Sequence, residues 1–370
     1  MTRSVRRALS ALTALVMTGT LFVGAPGPTY ANGSDTYYVA QTGEPDGDGS
    51  SCTDPDFVGG DAAPIALAVD LATDGDTIYI CAGTYLIEAT IDLGAELLTL
   101  QGAGAGVTIL DGGGDTKILT GTTVTVSGLT FQMGNGNVME EGDSGLGGAI
   151  ASENVTVTNS TFIGNEAHGG GAISGDTVTV TNSRFENNNT LTTSDGDGGG
   201  AILGEIVTVT NSTFIGNDSW VGGAIASENV TVTSSTFIGN EAYAGGAIIG
   251  DTVTVTNSTF VGNSAALGGA VGAASGTITR SRFRRNVASD RGGAIFMFSE
   301  AGSIVKLRGN VFTRNAAPFG GAITIGSCGA TVSRKKVTLM KRTNRFVRNS
   351  ATGQQGTKNI ERQLQEDCPT

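Results

Sequence analysis

Carboxylates dominate the residues able to do chemistry in this chain. Two stretches concentrate them: Glu140, Glu141 and Asp143 in one, Asp195 and Asp197 in the other. Clustered carboxylate oxygens on Gly-rich loops are the donor set that suits Ca²⁺. The plainer reading is a pair of solvated acidic loops, since Asp and Gly are ordinary loop residues. Cations that could serve as a base are scarce. Residues 32–279 hold 29 acidic residues and only two basic ones, Lys117 and Arg184. Arg184 stands where neighbouring segments place Thr161, Thr213, Thr236 and Thr259, so it reads as variation of an exposed slot.

A second chemistry is aromatic. The only histidine, His168, and the only tryptophan, Trp220, each stand two residues before a Gly-Gly pair, and so does Tyr243. Rings in a row at turn tips can stack on sugar rings. Ala266, Asp290 and Pro318 fill the same slot elsewhere, so the slot itself demands no particular chemistry.

The elements that position these residues come from a repeat. Phe-x-x-Asn recurs at Phe162, Phe185, Phe214, Phe237, Phe260, Phe283, Phe312 and Phe346, with spacings of 23, 29, 23, 23, 23, 29 and 34 residues. Gly-Gly-Ala-Ile/Val recurs in step, from Gly147 to Gly320. A fixed period of this size signals a solenoid. Runs such as VTVTNSTF alternate apolar and polar residues, the period of a half-buried strand. No stretch from 86 to 350 carries a helical period. Coils of strand and turn stack about 4.8 Å apart, which places the Phe in one interior column and the Asn at turns, bonded to backbone or to each other. One turn that varies in length lies between Phe and the next Gly-Gly. The two acidic stretches are the long versions of that turn, so both leave one edge of the rod, about 10 Å apart.

The paired GGA(I/V) and FxxN motifs over residues 130–350 resemble the repeats of chlamydial polymorphic membrane proteins. More broadly the chain resembles the secreted right-handed parallel β-helix superfamily that includes pectin and pectate lyases. The resemblance implies an all-β, single-stranded right-handed parallel β-helix of eleven or twelve coils, capped at both ends. Function follows less directly, because the fold hosts lyases, hydrolases, adhesins and inert scaffolds. Lyases of this kind pair acidic Ca²⁺ ligands with an Arg or Lys base. No C-terminal β-barrel is evident, a departure from the chlamydial proteins.

Composition and ends set the context. Residues 1–31 read as a signal peptide: Arg3, Arg6 and Arg7, an apolar run from Ala8 to Val23, then small residues at Thr29-Tyr30-Ala31. Export is therefore expected, and no later segment is apolar enough to span a membrane. Residues 32–85 are read as an N-terminal cap and first strand, with a helix from Pro64 to Ala72 and Asp61 as its N-cap. Residues 86–350 form the helix of coils, and 351–370 a C-terminal tail or cap. In an exported chain the four cysteines pair in order, Cys52–Cys81 and Cys328–Cys368. Residues 280–370 carry 17 basic and 5 acidic residues, so an acidic body meets a basic end. No basic–aromatic interleaving points to nucleic acid. The function expected is a secreted, non-enzymatic scaffold that contacts carbohydrate or a cell-surface polymer. The alternative is a Ca²⁺-assisted polysaccharide lyase. No cofactor is expected beyond such a Ca²⁺ ion.

Overall fold

The computed structural model describes residues 34–43, 49–137, 145–191, 198–298, 305–326, 343–352 and 360–362. Its unit is one coil with three sides. In the coil that starts at Ile225, the strand Ile225–Thr233 buries Val230 and Val232 and turns Thr231 to solvent. The chain bends at Ser234, and Thr236–Ile238 buries Phe237. It bends again at Gly239, and Glu241–Ala244 forms the third side. Ile248 then lies in register over Ile225. Three sheets of 16, 11 and 8 strands result, and consecutive coils pair in parallel. Crossovers between parallel strands of one sheet turn right-handed, and the fold is a right-handed parallel β-helix. Among the described residues the eleven strands of the second sheet count eleven coils.

Stacking converts each repeat position into a column. Nine phenylalanines, from Phe131 to Phe346, form one continuous interior pile with neighbouring ring centroids 4.7–5.0 Å apart and planes within 11° of parallel. The centroid spacing is the inter-strand spacing, so the backbone ladder sets it rather than ring preference.

The Asn of each repeat is fully buried and completely bonded. Asn240 Oδ1 accepts from the backbone N–H and the Nδ2 of Asn217, at 3.0 and 2.9 Å. Asn240 Nδ2 donates to Phe214 O, at 3.2 Å, and to Asn263 Oδ1, at 2.9 Å. Eight residues from Asn165 to Asn349 are linked in this way. A parallel ladder of serines begins at Ser160, each Oγ accepting a backbone N–H from the coil before and donating to the carbonyl two residues back. It is continued by Asn310 and Asn344, whose longer side chains also bond each other. These two ladders satisfy turn backbone that would otherwise be buried without partners.

The Gly-Gly pair has two separate causes. Gly222 adopts φ +62°, a left-handed conformation that favours glycine. A Cβ on Gly223 would come within 2.3 Å of the carbonyl oxygen of Gly246 in the next coil. The first glycine makes the bend and the second lets the coils close.

At the N-terminal end the helix spans Ala63–Leu71, one residue earlier at each end than the sequence pattern places it. Ala62, not Asp61, occupies the N-cap, and it makes no side-chain cap. Asp61 Oδ1 instead accepts the N–H of Ala63 at 3.1 Å, a turn contact just ahead of the helix. Pro64, Ile65 and Ala68 face inward, and Ile65 and Ala68 join the core of the first coils. The expected disulfide Cys52–Cys81 is present, with Cα atoms 5.7 Å apart. Cys328 and Cys368 lie outside the described residues, as does the stretch 1–31. Within the stretch expected to be a tail, Ile360–Arg362 adds a further parallel strand over Ile323–Ile325.

The Asn ladder yields a stability prediction. Asn240→Ala removes an acceptor from two buried N–H groups of Asn217, and unfolding free energy should fall by roughly 3 kcal/mol in a urea titration. A loss below about 0.5 kcal/mol would show the ladder to be dispensable.

Candidate functional site: an aromatic shelf and an acidic groove

The slot before Gly-Gly lies on the outer face of the third sheet. Trp220 and Tyr243 occupy it in adjacent coils and stack on each other, centroids 4.7 Å apart and planes 5° from parallel. They are 40% and 48% exposed, so the pair stands proud of the surface. Each ring therefore spends one face on the other. The far side of Tyr243 looks toward the next coil, where Ala266 stands in register and is too small to cover it. A hollow of about 550 Å³ opens there, lined among others by Tyr243, Ser264, Ala266, Val287 and Ser289.

Carboxylates flank the rings. Asp218 and Glu241 face each other in register two residues before Trp220 and Tyr243, and both line the hollow. Loss of water around the Asp218 carboxyl pushes its pKa up, partly offset by a hydrogen bond from the backbone N–H of Ser219.

His168 belongs to the same column but is not part of the stack. Its backbone N–H donates to Gly145 O at 2.8 Å, and its Nδ1 lies 2.3 Å from where a Cβ on Gly145 would fall. Leu191, 49% exposed, fills the coil between His168 and Trp220. Counting back from Gly-Gly misses Leu191, because the long acidic turn follows it. Counting six residues forward from Phe185 finds it. In the coil of Phe283 a bulge between the positions of Ala265 and Leu267 adds one residue, so Asp290 is displaced from the strict column.

A second surface escaped the sequence reading. A groove of about 860 Å³ runs along the rod across the long strands of the first sheet. Glu153, Asp176, Glu205, Glu228 and Asp251 form one of its walls, one carboxylate per coil over five consecutive coils. All five are exposed. Leu203, Ala226 and Ile249 contribute apolar floor, and Leu146, Val221 and Phe298 also border it. The signal was available: an acidic residue stands two positions before each Val-Thr-Val-Thr run. Among its described lining residues are five carboxylates and no Arg, Lys or His.

The acidic loop residues Glu140, Glu141, Asp143, Asp195 and Asp197 lie outside the described residues. Among the described residues no group of three or more His, Cys, Asp or Glu is gathered closely enough to hold a metal ion. Arg184 pairs with Glu186 of its own strand at 2.6 Å. No helix among the described residues is long and apolar enough to cross a membrane.

Residues 104–278 match the family model described as a right-handed β-helix region. Among solved structures, the chain is similar to a pectin methylesterase in complex with a hexasaccharide, at 10% identity over 91% of this chain and 94% of that one, with a TM-score of 0.37. It is also similar to a mutant alginate lyase of the PL6 family, at 14% identity over 80% of this chain and 57% of that one, with a TM-score of 0.27. At these values the likeness carries nothing about chemistry. No curated protein sequence matches the chain.

The raised pKa of Asp218 gives a pH prediction. A carboxylate whose folded pKa is raised opposes folding once it ionises, so its contribution worsens as pH rises through the carboxylate range and stays unfavourable at neutrality. Asp218→Asn should therefore raise the Tm slightly at pH 7, with the difference vanishing in acid, as scanning calorimetry across pH would show.

Proposed function

We propose that the protein is a secreted, non-enzymatic β-helix scaffold that contacts carbohydrate on an extracellular or cell-surface polymer. The observation that carries this reading is the stacked Trp220–Tyr243 pair, with the far side of Tyr243 open over a hollow of small residues. A sugar ring laid against an aromatic face gains apolar contact while its hydroxyls remain free to bond. Asp218 and Glu241 stand beside the rings as acceptors for those hydroxyls. Their charge disfavours an acidic sugar at this shelf, so the ligand expected there is a neutral glycan. Export rests on the pattern of residues 1–31, and the Cys52–Cys81 disulfide supports it, since such bonds persist in oxidising compartments. Repetition along the rod suits binding by many weak contacts.

The test is a panel of neutral and acidic glycans, read for binding by calorimetry and for chain shortening or unsaturated ends by mass spectrometry. The expected outcome is binding without cleavage, with neutral glycans preferred. Tyr243→Ala should weaken it roughly tenfold, about 1.4 kcal/mol. Cleavage of any polymer in the presence of Ca²⁺ would replace this reading with the polysaccharide lyase, and Tyr243→Ala binding like wild type would remove the shelf from it.

A further inference from the structure

The outer face of the second sheet changes character along the rod. In the five coils from Asn159 to Asn263, this face and its two turns carry one ion pair, Arg184–Glu186, and no other charge. In the last three described coils the same segments read RSRFRRN, RGNVFTRN and RFVRN, with no acidic residue. Arg282, Arg284, Arg285, Arg314, Arg345 and Arg348 are all exposed there. The ion pairs found among the described residues, Arg184–Glu186 and Arg291–Asp290, include none of them.

Three of these arginines work against the fold. Arg285, Arg314 and Arg348 share one turn position in consecutive coils, each with φ between 54° and 57°. Of the six earlier coils in the Phe pile, four place Gly164, Gly216, Gly239 and Gly262 there and two place Met133 and Asn187, all at positive φ. A side chain is disfavoured in that conformation, and three like charges one coil apart repel one another. A Cβ at Gly239 or Gly262 would meet nothing within 4 Å, so side chains at this position project into open solvent. Neither packing nor backbone geometry accounts for the arginines.

The acidic groove is their complement. Its five carboxylates also form a column with one group per coil, so both columns repeat at about 4.8 Å. The groove has an apolar floor beneath an acidic wall. Arginine has an apolar stem and a cationic head that forks onto carboxylates, so it suits both surfaces. The charge of the whole chain agrees: 29 acidic against 2 basic residues over 32–279, and 17 basic against 5 acidic over 280–370.

We propose that the arginine column of one molecule docks into the acidic groove of a second copy, with Arg285, Arg314 and Arg348 reaching three successive carboxylates. The two surfaces differ, so the contact is heterologous and each copy keeps one of each free. With rods parallel, the middle arginine coil lies four coils beyond the middle carboxylate coil. Successive copies are then staggered by roughly 20 Å, and assembly continues open-ended. This inference does not depend on the carbohydrate reading, because it uses neither the rings nor the hollow.

The test is sedimentation velocity of the full chain, produced in a secreting host, at about 20 mM and about 500 mM salt. Association at low salt and monomer at high salt is expected. Two variants separate the surfaces. Arg285→Gly/Arg314→Gly/Arg348→Gly restores the residue that four other coils carry, so it keeps the fold. Asp176→Asn/Glu205→Gln/Glu228→Gln neutralises the three groove carboxylates that this register brings under the arginines. Each variant alone should be monomeric at low salt, and an equimolar mixture should form dimers and nothing larger, because only one competent contact remains. A wild type that stays monomeric at low salt overturns the proposal. So does an arginine variant that still assembles, or a mixture of folded variants that fails to pair.

Discussion

Each coil must sit one strand spacing above the last, and the structure follows from that constraint. Parallel pairing fixes the rise and the register together. Whatever residue occupies a position then stands directly over its counterpart, with no freedom to move away. Inside the rod this favours groups content beside copies of themselves. Phenyl rings tolerate it, and Val and Ile pack on it. Asn does better than tolerate it, because its amide both donates and accepts and so can bond an identical neighbour on either side. The ladder from Asn165 to Asn349 uses every side-chain donor and acceptor of its inner members. A lysine or aspartate there would face its own charge at every step.

Outside the rod the same constraint amplifies small choices. One exposed tyrosine is incidental, but Trp220 beneath Tyr243 becomes a two-ring platform because register leaves them no other arrangement. One glutamate per coil is unremarkable until five of them line a single groove. One arginine in a turn costs little, whereas three in a column concentrate repulsion. Surface chemistry in such a fold is therefore read down the columns and not along the chain.

That distinction decides how much was legible beforehand. Interior columns announce themselves, since Phe, Asn and Gly-Gly recur with fixed chemistry at fixed offsets, and eleven or twelve coils with a pile of eight rings follow from them; the ninth ring, Phe131, was hidden because Gly134 stands where its repeat partner Asn would be. The aromatic slot was visible too, because Trp220 and Tyr243 share an offset from Gly-Gly. Leu191 was hidden by the choice of reference point: an insertion lies between it and the glycines. The acidic groove was missed for another reason. A residue that alternates between Glu and Asp two positions before Val looks like ordinary solvated strand edge in every single repeat. Its meaning lies in the register, which stacks five of them over one groove beside Leu203, Ala226 and Ile249, and no single repeat shows that. The helix boundary moved because Asp61 bonds Ala63 ahead of the first turn, and a residue type alone does not say which turn it serves.

The unequal lengths of the coils have a mechanical consequence. Each coil touches chiefly the coils above and below, so a rod pulled from one end would peel coil by coil. A 23-residue coil drawn straight releases roughly 75 Å of chain. The coils between Phe185 and Phe214 and between Phe283 and Phe312 are six residues longer, and each releases roughly 20 Å more. The order of long and short coils is thus written into the rod as a sequence of unequal extensions, legible from one end to the other.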